Sequence, residues 1–310
     1  MKTEMKATRE ALGDAVLESA EKNKKLWVLC AGTGDSTYVY PFKKKYPERY
    51  VEMGIAEQNM IVTAAGISLT GKTVIATTFA IFLTGRTYDQ IRQSLAYSNT
   101  DVKLVSTHAG ITVGEDGATH QMLEDIGMMR AIPNMKVIVP ADYSEAKRAI
   151  LSAIEEEGPF YIRTGRLKLP IVTDESFEFQ IGKADWLKKG KDVSIIACGL
   201  MVGEALKAAE QLEKEGISAN VINMHTIKPL DEKSVLKAAE VPIVTAEEHM
   251  IANGLGSAIA ELLSEKKPTR MKMVAVRDSF GESGDGLELL KKYNLTAEAI
   301  VKAVKDVLSE

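Results

Sequence analysis

Residues 53–89 read MGIAEQNMIVTAAGISLTGKTVIATTFAIFLTGRTYD, a run that predicts one unit of a parallel α/β sheet. The run contains the end of a strand, a tight turn at Gly54, and a helix over 56–69 with small residues on one side. Gly71 ends that helix. The β-branched run Thr73–Thr78 that follows is typical of a buried parallel strand.

Two strand-to-helix corners in this run carry groups that suit a ligand. Glu57 begins the first helix, and Phe79 and Phe82 open a second helix after the next strand. In open α/β sheets, ligands bind beyond the carboxyl ends of the strands, where such corners lie together. A hydrogen-bonding carboxylate beside a flat apolar face suits a heteroaromatic ring. An acid in the first turn of a helix is also favoured by the helix dipole alone, so Glu57 by itself does not decide the function.

Composition excludes several classes of protein. The 310 residues are 45% hydrophobic and 26% charged, which is ordinary for a globular protein with room for two domains. A net charge of −4 gives no basic surface for nucleic acid or a membrane. Residues 1–15 lack the apolar core of a signal peptide, and no apolar run reaches membrane-spanning length. Cys30 and Cys198 lie in apolar strand-like runs, so we expect reduced core cysteines in a cytoplasmic protein.

Strand and helix patterns alternate along nearly the whole chain. This alternation predicts an α/β fold with two doubly wound, mostly parallel sheet domains. It lapses after Leu167 and resumes near residue 192. We therefore expect a first domain over 1–170, a linker over 171–191 and a second domain over 192–310.

The loop after the predicted strand Val102–Thr107 concentrates polar groups. Its sequence, HAGITVGEDGATHQ over 108–121, holds two of the four histidines, His108 and His120, with Asp116 between two glycines. A single loop histidine is usually only solvated. Two histidines and a carboxylate at one strand end indicate a site for a polar substrate. A metal site is a weaker interpretation, because no two histidines show short ligand spacing.

Further candidates follow other predicted strands. Asp35 lies in a Gly/Ser/Thr loop after the strand at Leu26–Ala31. Arg163 and Arg166 lie at the carboxyl end of the last strand of the first unit. These arginines are either surface charges, or one of them clamps a phosphate or carboxylate with paired donors.

A series of motifs resembles the C-terminal half of transketolase. Within the first domain it comprises GIAEQNM at 54–60, TTFAIF at 77–82 with YDQIR at 88–92, GEDGATHQ at 114–121 and IRTGR at 162–166. The likeness continues through IKPLD at 227–231, EEH at 247–249 and SFGESG at 279–284. Each motif alone is weak, but the order and spacing of the series make it specific over nearly the whole chain.

The resemblance implies a pyrimidine-binding domain and a transketolase C-terminal domain that share thiamine diphosphate with a neighbouring subunit. Glu57 would hydrogen-bond the aminopyrimidine ring of this cofactor and control its tautomer, while the cofactor supplies the chemistry. Phe82 would stack on that ring with Phe79 packed behind it. Asp35 would help to hold the cofactor.

The resemblance also implies a reaction of the pentose phosphate pathway. A two-carbon ketol unit would pass from a ketose phosphate to an aldose phosphate. Asp116 would meet a hydroxyl of the donor, and His120 would make polar contacts or transfer a proton. His108 and Arg166 would bind the sugar phosphate.

Two other thiamine-diphosphate enzymes are similar in part. Deoxyxylulose-phosphate synthase resembles the chain through GIAEQ and the GEDG motif, but carries an arginine in place of His108. The β subunits of two-oxoacid dehydrogenases share the helix acid and lack GEDG. A non-catalytic assembly or regulatory subunit is a third alternative, which the presence of Glu57, Phe82 and Asp116 disfavours.

A site for the diphosphate and its Mg²⁺ is not visible in the sequence. Gly284–Asp285–Gly286 resembles the start of the metal-binding signature of these enzymes, but the required asparagine does not follow at the right spacing. Gly254–Leu255–Gly256 precedes a helix without the further signals of a dinucleotide site, so we expect tight helix–strand packing there. We therefore expect an N-terminal partner subunit that holds the diphosphate and Mg²⁺, in a heterotetramer where this chain also self-associates as a dimer.

Overall fold

The computed structural model describes residues 4–173 and 178–309, and it has the predicted α/β fold class. In these ranges the strands are β1 (Met5–Ala7), β2 (Leu26–Cys30), β3 (Tyr50–Glu52), β4 (Thr73–Phe79), β5 (Val102–Thr107), β6 (Lys136–Ile138), β7 (Phe160–Arg163), β8 (Lys168–Pro170), β9 (Asp185–Lys188), β10 (Val193–Ala197), β11 (Ala219–Asn223), β12 (Thr226–Lys228), β13 (Ile243–Met250) and β14 (Met271–Val276). The α-helices are α1 (Glu10–Lys22), α2 (Tyr40–Lys45), α3 (Glu57–Ser68), α4 (Tyr88–Gln90), α5 (Asp125–Arg130), α6 (Tyr143–Glu155), α7 (Met201–Lys214), α8 (Glu232–Ala238), α9 (Leu255–Lys266), α10 (Gly286–Lys292) and α11 (Ala297–Ser309).

The first sheet has seven strands in the order β12-β6-β7-β5-β4-β2-β3, and all but β12 are parallel. Successive residues of β4 point to opposite faces, as expected of a strand buried on both sides. Val74 and Ala76 pack with α3 and α5, whereas Ile75 packs with α1 and α6. The sheet is therefore doubly wound, and the carboxyl ends of β2, β4, β5 and β7 meet at one edge.

The second sheet has five strands in the order β14-β13-β10-β11-β9, with β9 antiparallel to β11. Ile195 of β10 packs with α7 and α11 on one face, and Ile196 packs with α8 and α9 on the other. The core on the α8 and α9 side continues into the α3 side of the first sheet. Residues of the two sheets thus share one buried apolar cluster.

Several details differ from the sequence expectations, among them the two-stranded sheet of β1 and β8, which was not predicted. β9 lies inside the predicted linker 171–191 and joins the second sheet. β12 was not predicted, because three residues are too few to show a period; it pairs with β6 of the first sheet. Phe79 was expected to open a helix, but it is the last residue of β4. Two π-helical turns, Ile81–Gly85 and Ile91–Tyr97, lie on either side of α4 where one helix was expected. The domain boundaries themselves stay a prediction.

The two cysteines are free thiols in the core, as expected from their strand-like surroundings. Within residues 4–173 and 178–309, no helix combines the length and the apolar character that crossing a bilayer requires.

Candidate active site

Glu57 is the first residue of α3 and follows the turn at Gly54, whose φ of +63° is easily adopted by glycine. The side chain is only 4% exposed, although it lies at the end of its helix. Its two carboxylate oxygens accept hydrogen bonds from Arg86 Nη1 at 3.2 and 3.3 Å. Glu57 is thus a buried acceptor at the carboxyl edge of the first sheet.

The two predicted aromatic residues lie beside this carboxylate. Phe79 ends β4, Phe82 lies in the first π-helical turn, and their ring centroids are 5.8 Å apart in a stacked arrangement. Wide turns of this kind are frequent at functional sites. The Arg86 guanidinium carbon lies 4.4 Å from the centroid of the Phe82 ring. The same guanidinium therefore lies on an aromatic face and donates to Glu57.

His108 extends the cluster from the end of β5. Its ring stacks on Phe79 with the centroids 3.7 Å apart. Its Nε2 lies 2.9 Å from Arg9 Nη1, and its Nδ1 lies 2.9 Å from Thr107 Oγ1. Because a guanidinium only donates, Nε2 accepts and the ring proton is assigned to Nδ1. Burial, and to a smaller extent the charges of Arg9 and Arg166, lower the pKa of His108 to about 3, so the ring is neutral at neutral pH.

His120 closes the other side of the aromatic pair. Its ring meets the Phe82 ring edge-on with the centroids 5.4 Å apart, and its Nδ1 lies 3.0 Å from Thr119 Oγ1. The ring is partly exposed. A continuous series of contacts thus runs from His120 through Phe82 and Phe79 to His108.

Asp116 and Arg166 form an ion pair at the rim of this cluster. Arg166 Nη1 lies 3.4 Å from Asp116 Oδ1 and also donates to Val113 O at 3.1 Å. Both side chains are 36% exposed, which leaves them accessible to a ligand. The structure therefore brings these two predicted residues together, beside the positive charge of Arg9 that also acts on His108.

Two other candidates from the sequence, Asp35 and Arg163, are not part of this cluster. Asp35 is exposed in the loop after β2, and in the described part of the chain no hydrogen bond or ion pair joins its carboxylate to the cluster. Arg163 is buried: its Nε donates to Asp125 Oδ2 at 2.8 Å, and its Nη2 donates to the carbonyl of Glu248 at 3.0 Å. The interpretation of Arg163 as a surface charge or a phosphate clamp is therefore wrong. The sequence places it at a strand end, but the second sheet covers it.

The second sheet also fixes the loop 108–121. Glu248 of β13 accepts a hydrogen bond from Thr112 N at 2.8 Å and lies 3.7 Å from Arg163 Nη1. Gly110 has a φ of +86°, and a Cβ at this position would lie 2.2 Å from Glu248 Cδ. A glycine is therefore required where the loop passes the carboxylate.

The two glycine-containing runs have structural roles. Glu247 accepts hydrogen bonds from Leu255 N and Gly256 N, each at 2.8 Å, so the N-terminus of α9 already holds a carboxylate of the chain. A Cβ on Gly256 would lie 2.9 Å from Thr245 Oγ1, which agrees with the predicted tight packing. Asp285 caps α10 by accepting from Leu287 N at 2.9 Å.

Sequence reasoning missed Arg9 and Arg86. Arg86 lies within the run 53–89, four residues after Phe82, a spacing that places both on one side of a helical turn. Arg9 precedes α1, and no nearby signal connects it with His108, which lies 99 residues away in the chain. Only the pairing of strands and helices brings these two residues together.

The fold and this cluster define the class: an α/β protein of two doubly wound sheets with a charged and aromatic site at the strand ends. Residues 4–172 match the family Transketolase, pyrimidine binding domain, and residues 182–300 match Transketolase, C-terminal domain. The chain belongs to the transketolase family, so the resemblance seen in the sequence is confirmed. Domains of this family imply thiamine diphosphate binding.

Similar proteins cover the chain almost end to end. A "Putative transketolase C-terminal section" of Methanocaldococcus jannaschii is 45% identical over 98% of this chain and 97% of its own length. A 6-deoxy-6-sulfo-D-fructose transketolase subunit of a Clostridium species is 41% identical over 96% and 94% of the two chains. A solved structure named "Split gene transketolase, inactive beta4 tetramer" is 46% identical, covers 98% of each chain and superposes with a TM-score of 0.92.

Proposed function

We propose that this chain is the C-terminal subunit of a transketolase. Together with an N-terminal partner subunit, it transfers a two-carbon ketol unit from a ketose phosphate to an aldose phosphate. The proposal rests above all on the Arg86 guanidinium, which donates to Glu57 at 3.2 Å while it lies 4.4 Å from the centroid of the Phe82 ring. A planar group with an N–H donor is accommodated there. An aminopyrimidine ring is also planar, and it presents an N–H to Glu57 when its ring nitrogen is protonated.

Thiamine diphosphate fits the residues of this corner. When bound, the cofactor supplies the carbon nucleophile and the electron sink for ketol transfer. In our proposal Glu57 hydrogen-bonds the pyrimidine ring and sets its tautomer, Phe82 stacks on the ring, and Phe79 supports Phe82. Asp35 approaches the cofactor from the loop after β2. Arg86 is 46% exposed, so it is free to move away from Glu57 when the ring binds.

The substrate phosphate would bind to the cationic groups around His108. Arg9 and Arg166 supply the positive charge, since a guanidinium binds phosphate with paired donors. His108 is neutral and accepts from Arg9, so it contributes orientation and hydrogen bonding. Asp116 meets a hydroxyl of the donor sugar once Arg166 turns to the phosphate. His120, which is partly exposed beside Phe82, is the candidate for proton transfer.

An exposed apolar row supports a partner subunit at this site. Ile55 and Leu69 are 86% and 74% exposed, and Val62 lies between them at 42%. Val62 lies within α3, Ile55 lies two residues before its first residue, Glu57, and Leu69 directly follows its last residue. Tyr97, in the neighbouring π-helical turn, is 85% exposed. Apolar rows of this kind mark interfaces.

The names of the relatives support the same assembly. Two of them are called a C-terminal section and a subunit, and the solved structure is called an inactive tetramer of one chain type. We propose that this chain self-associates, and that a cytoplasmic heterotetramer forms when the N-terminal subunit adds the diphosphate and Mg²⁺ site. The Clostridium relative is named for a sulfonated sugar, so the sugar used by this chain has to be tested directly.

The test combines this chain with its candidate N-terminal partner, thiamine diphosphate and Mg²⁺. One reaction contains xylulose 5-phosphate and ribose 5-phosphate, and the other contains pyruvate and glyceraldehyde 3-phosphate. We expect ketol-transfer products from the first pair only. Product from the second pair alone would instead indicate a deoxyxylulose-phosphate synthase. A partner whose own activity is merely altered by this chain would indicate a regulatory subunit.

A further inference from the structure

A second cluster of ligand-type side chains lies away from the proposed active site, where the two sheets meet. Glu145 comes from α6 on the first sheet, Asp185 begins β9 of the second, and His225 lies between β11 and β12. One ligand atom from each residue lies within 4.8 Å of the others, and the residues are 0%, 8% and 0% exposed. We propose that Glu145, Asp185 and His225 bind a divalent transition-metal ion, for which Zn²⁺ is the probe.

His225 has the arrangement expected of a metal ligand. Its Nδ1 lies 2.9 Å from Thr226 Oγ1, which fixes the ring. Its Nε2 is buried and has no hydrogen-bond partner in the described part of the chain; the closest acidic oxygen, Asp185 Oδ2, is 3.9 Å away. An unpaired buried nitrogen is destabilising. Burial also lowers the pKa of His225 to about 4, so the ring is neutral, which is the form that binds metal.

Both carboxylates are buried; Glu145 is held by hydrogen bonds, and the positive charge of Arg148 acts on Asp185. Glu145 accepts from Ala141 N at 2.6 Å and from Asn223 Nδ2 at 2.7 Å. Asn223 Oδ1 is buried and unpaired among the described residues. Burial raises the pKa of Glu145 to about 8 and that of Asp185 to about 6. A cation between them would offset this loss of hydration.

The donor set indicates the kind of ion. One imidazole nitrogen and two carboxylates suit Zn²⁺ and similar ions, whereas Mg²⁺ prefers oxygen ligands and retains water. Zn²⁺ binds its ligands at about 2.0–2.2 Å, so the cluster must contract when the ion binds. Glu145 lies on α6 beside the first sheet, Asp185 lies in β9 of the second, and His225 lies in the connection from β11 of the second sheet to β12 of the first. The ion would therefore link elements of both sheets. Asp185 lies at the edge of the cluster with 12% of its side chain exposed, so an ion from solvent could reach the site there.

The unmodified full-length chain provides the first test. The protein is stripped with a chelator and dialysed against Zn²⁺ or against Mg²⁺, and the bound metal and the unfolding temperature are measured. We expect one Zn²⁺ per chain, a higher unfolding temperature with Zn²⁺, and neither effect with Mg²⁺. Substitution with Co²⁺ should give the strong visible absorption of a four-coordinate site. The absence of bound Zn²⁺ and of a shift in unfolding temperature would overturn the proposal.

Variants then locate the ion. His225→Gln and Glu145→Gln should each weaken Zn²⁺ binding at least about tenfold. His120→Gln is the matched control, since this histidine is partly exposed and lies outside the cluster; it should bind Zn²⁺ like the unmodified chain. Equal binding by His225→Gln and the unmodified chain would assign the metal to the surface and overturn the site. If His225→Gln does not fold, Asp185→Asn serves in its place.

Discussion

His108 adopts a left-handed backbone conformation, with a φ of +55°, that few residues other than glycine tolerate. Residues in such conformations cluster at functional sites. The conformation carries the ring onto Phe79 and its Nε2 to Arg9, at the point where β5 ends. This backbone conformation places the His108 ring where it accepts a hydrogen bond from Arg9, a cationic side chain of the proposed phosphate site.

Arg9→Gln should raise the pKa of His108. The pKa is now about 3, and the positive charge of Arg9 is the second cause of the shift after burial. Removing the charge therefore moves the pKa upward, while burial keeps it below the ordinary value of 6.5. An NMR titration of the histidine ring protons measures the change. Arg92→Gln, at an exposed position, is the control; an unchanged His108 pKa in Arg9→Gln would contradict the assigned contact.

At this scale the sequence predicted residue positions better than side-chain partners. Glu57, Phe82 and His120 were expected close together because strand ends meet at one edge of a parallel sheet, and the structure places them in one cluster. Their roles stay a prediction. Arg163 is the last residue of a strand, yet its side chain is buried against Asp125. Arg9 could not be found, since its partner lies far away in the chain. Spacing along a strand predicts where a residue lies, and distant packing decides what its side chain contacts.

The loop 108–121 is the element on which the proposed substrate site depends. It contributes His108, Asp116 and His120, and Glu248 from the second sheet holds it by a 2.8 Å hydrogen bond to Thr112 N. The role of this acid could not be predicted from the EEH motif, because it acts through the docking of one sheet on the other. β9 and β12 were missed for a related reason, as short strands show too little periodicity to be recognised.

Gly110→Ala should destabilise the chain by at least about 2 kcal/mol, because its φ is positive and the new Cβ would meet the Glu248 carboxyl. Gly203→Ala is the matched control: a Cβ on this helical glycine would have Val172 Cγ1 as its nearest neighbour, at 4.0 Å, so alanine should be neutral or stabilising by up to about 1 kcal/mol. Urea unfolding of both variants measures the difference. Equal midpoints would show that Glu248 does not constrain the loop.

For the whole molecule, the arrangement of sheets was predictable but the junction between them was not. Alternating patterns indicated two α/β sheets, and their doubly wound form is confirmed. The pattern gave no sign that one apolar cluster spans both sheets or that β12 crosses to the first. Buried acids such as Glu145 and Glu247 gather in this junction, which makes stability dependent on pH.

Raising the pH from about 6.5 to 8 should destabilise the metal-free chain. Burial raises the pKa of Glu145 from 4.5 to about 8 and that of Glu247 to about 7. In this window the folded chain keeps protons that the unfolded chain has released, so stability falls as pH rises, by about 2 kcal/mol for Glu145 alone. Buried histidines act below this window, because unfolded histidine titrates near pH 6.5.

Unfolding in chelator at several pH values measures the slope. Glu145→Gln should flatten it, whereas Glu157→Gln, at an exposed position, should not. The readout is the slope with pH, which a general loss of packing does not change. A slope in Glu145→Gln equal to that of the unmodified chain would show that this carboxyl is already ionised when buried.

We propose above that Glu57 directs thiamine diphosphate in an enzyme completed by a second subunit. The most direct measurement is ketol transfer by this chain alone, by the N-terminal partner alone and by their mixture, with Glu57→Gln and the exposed control Glu48→Gln tested in the mixture. We expect activity only in the mixture, reduced at least about 100-fold by Glu57→Gln and unchanged by Glu48→Gln. Full activity of the Glu57→Gln mixture, or activity of this chain alone, would contradict this role of Glu57.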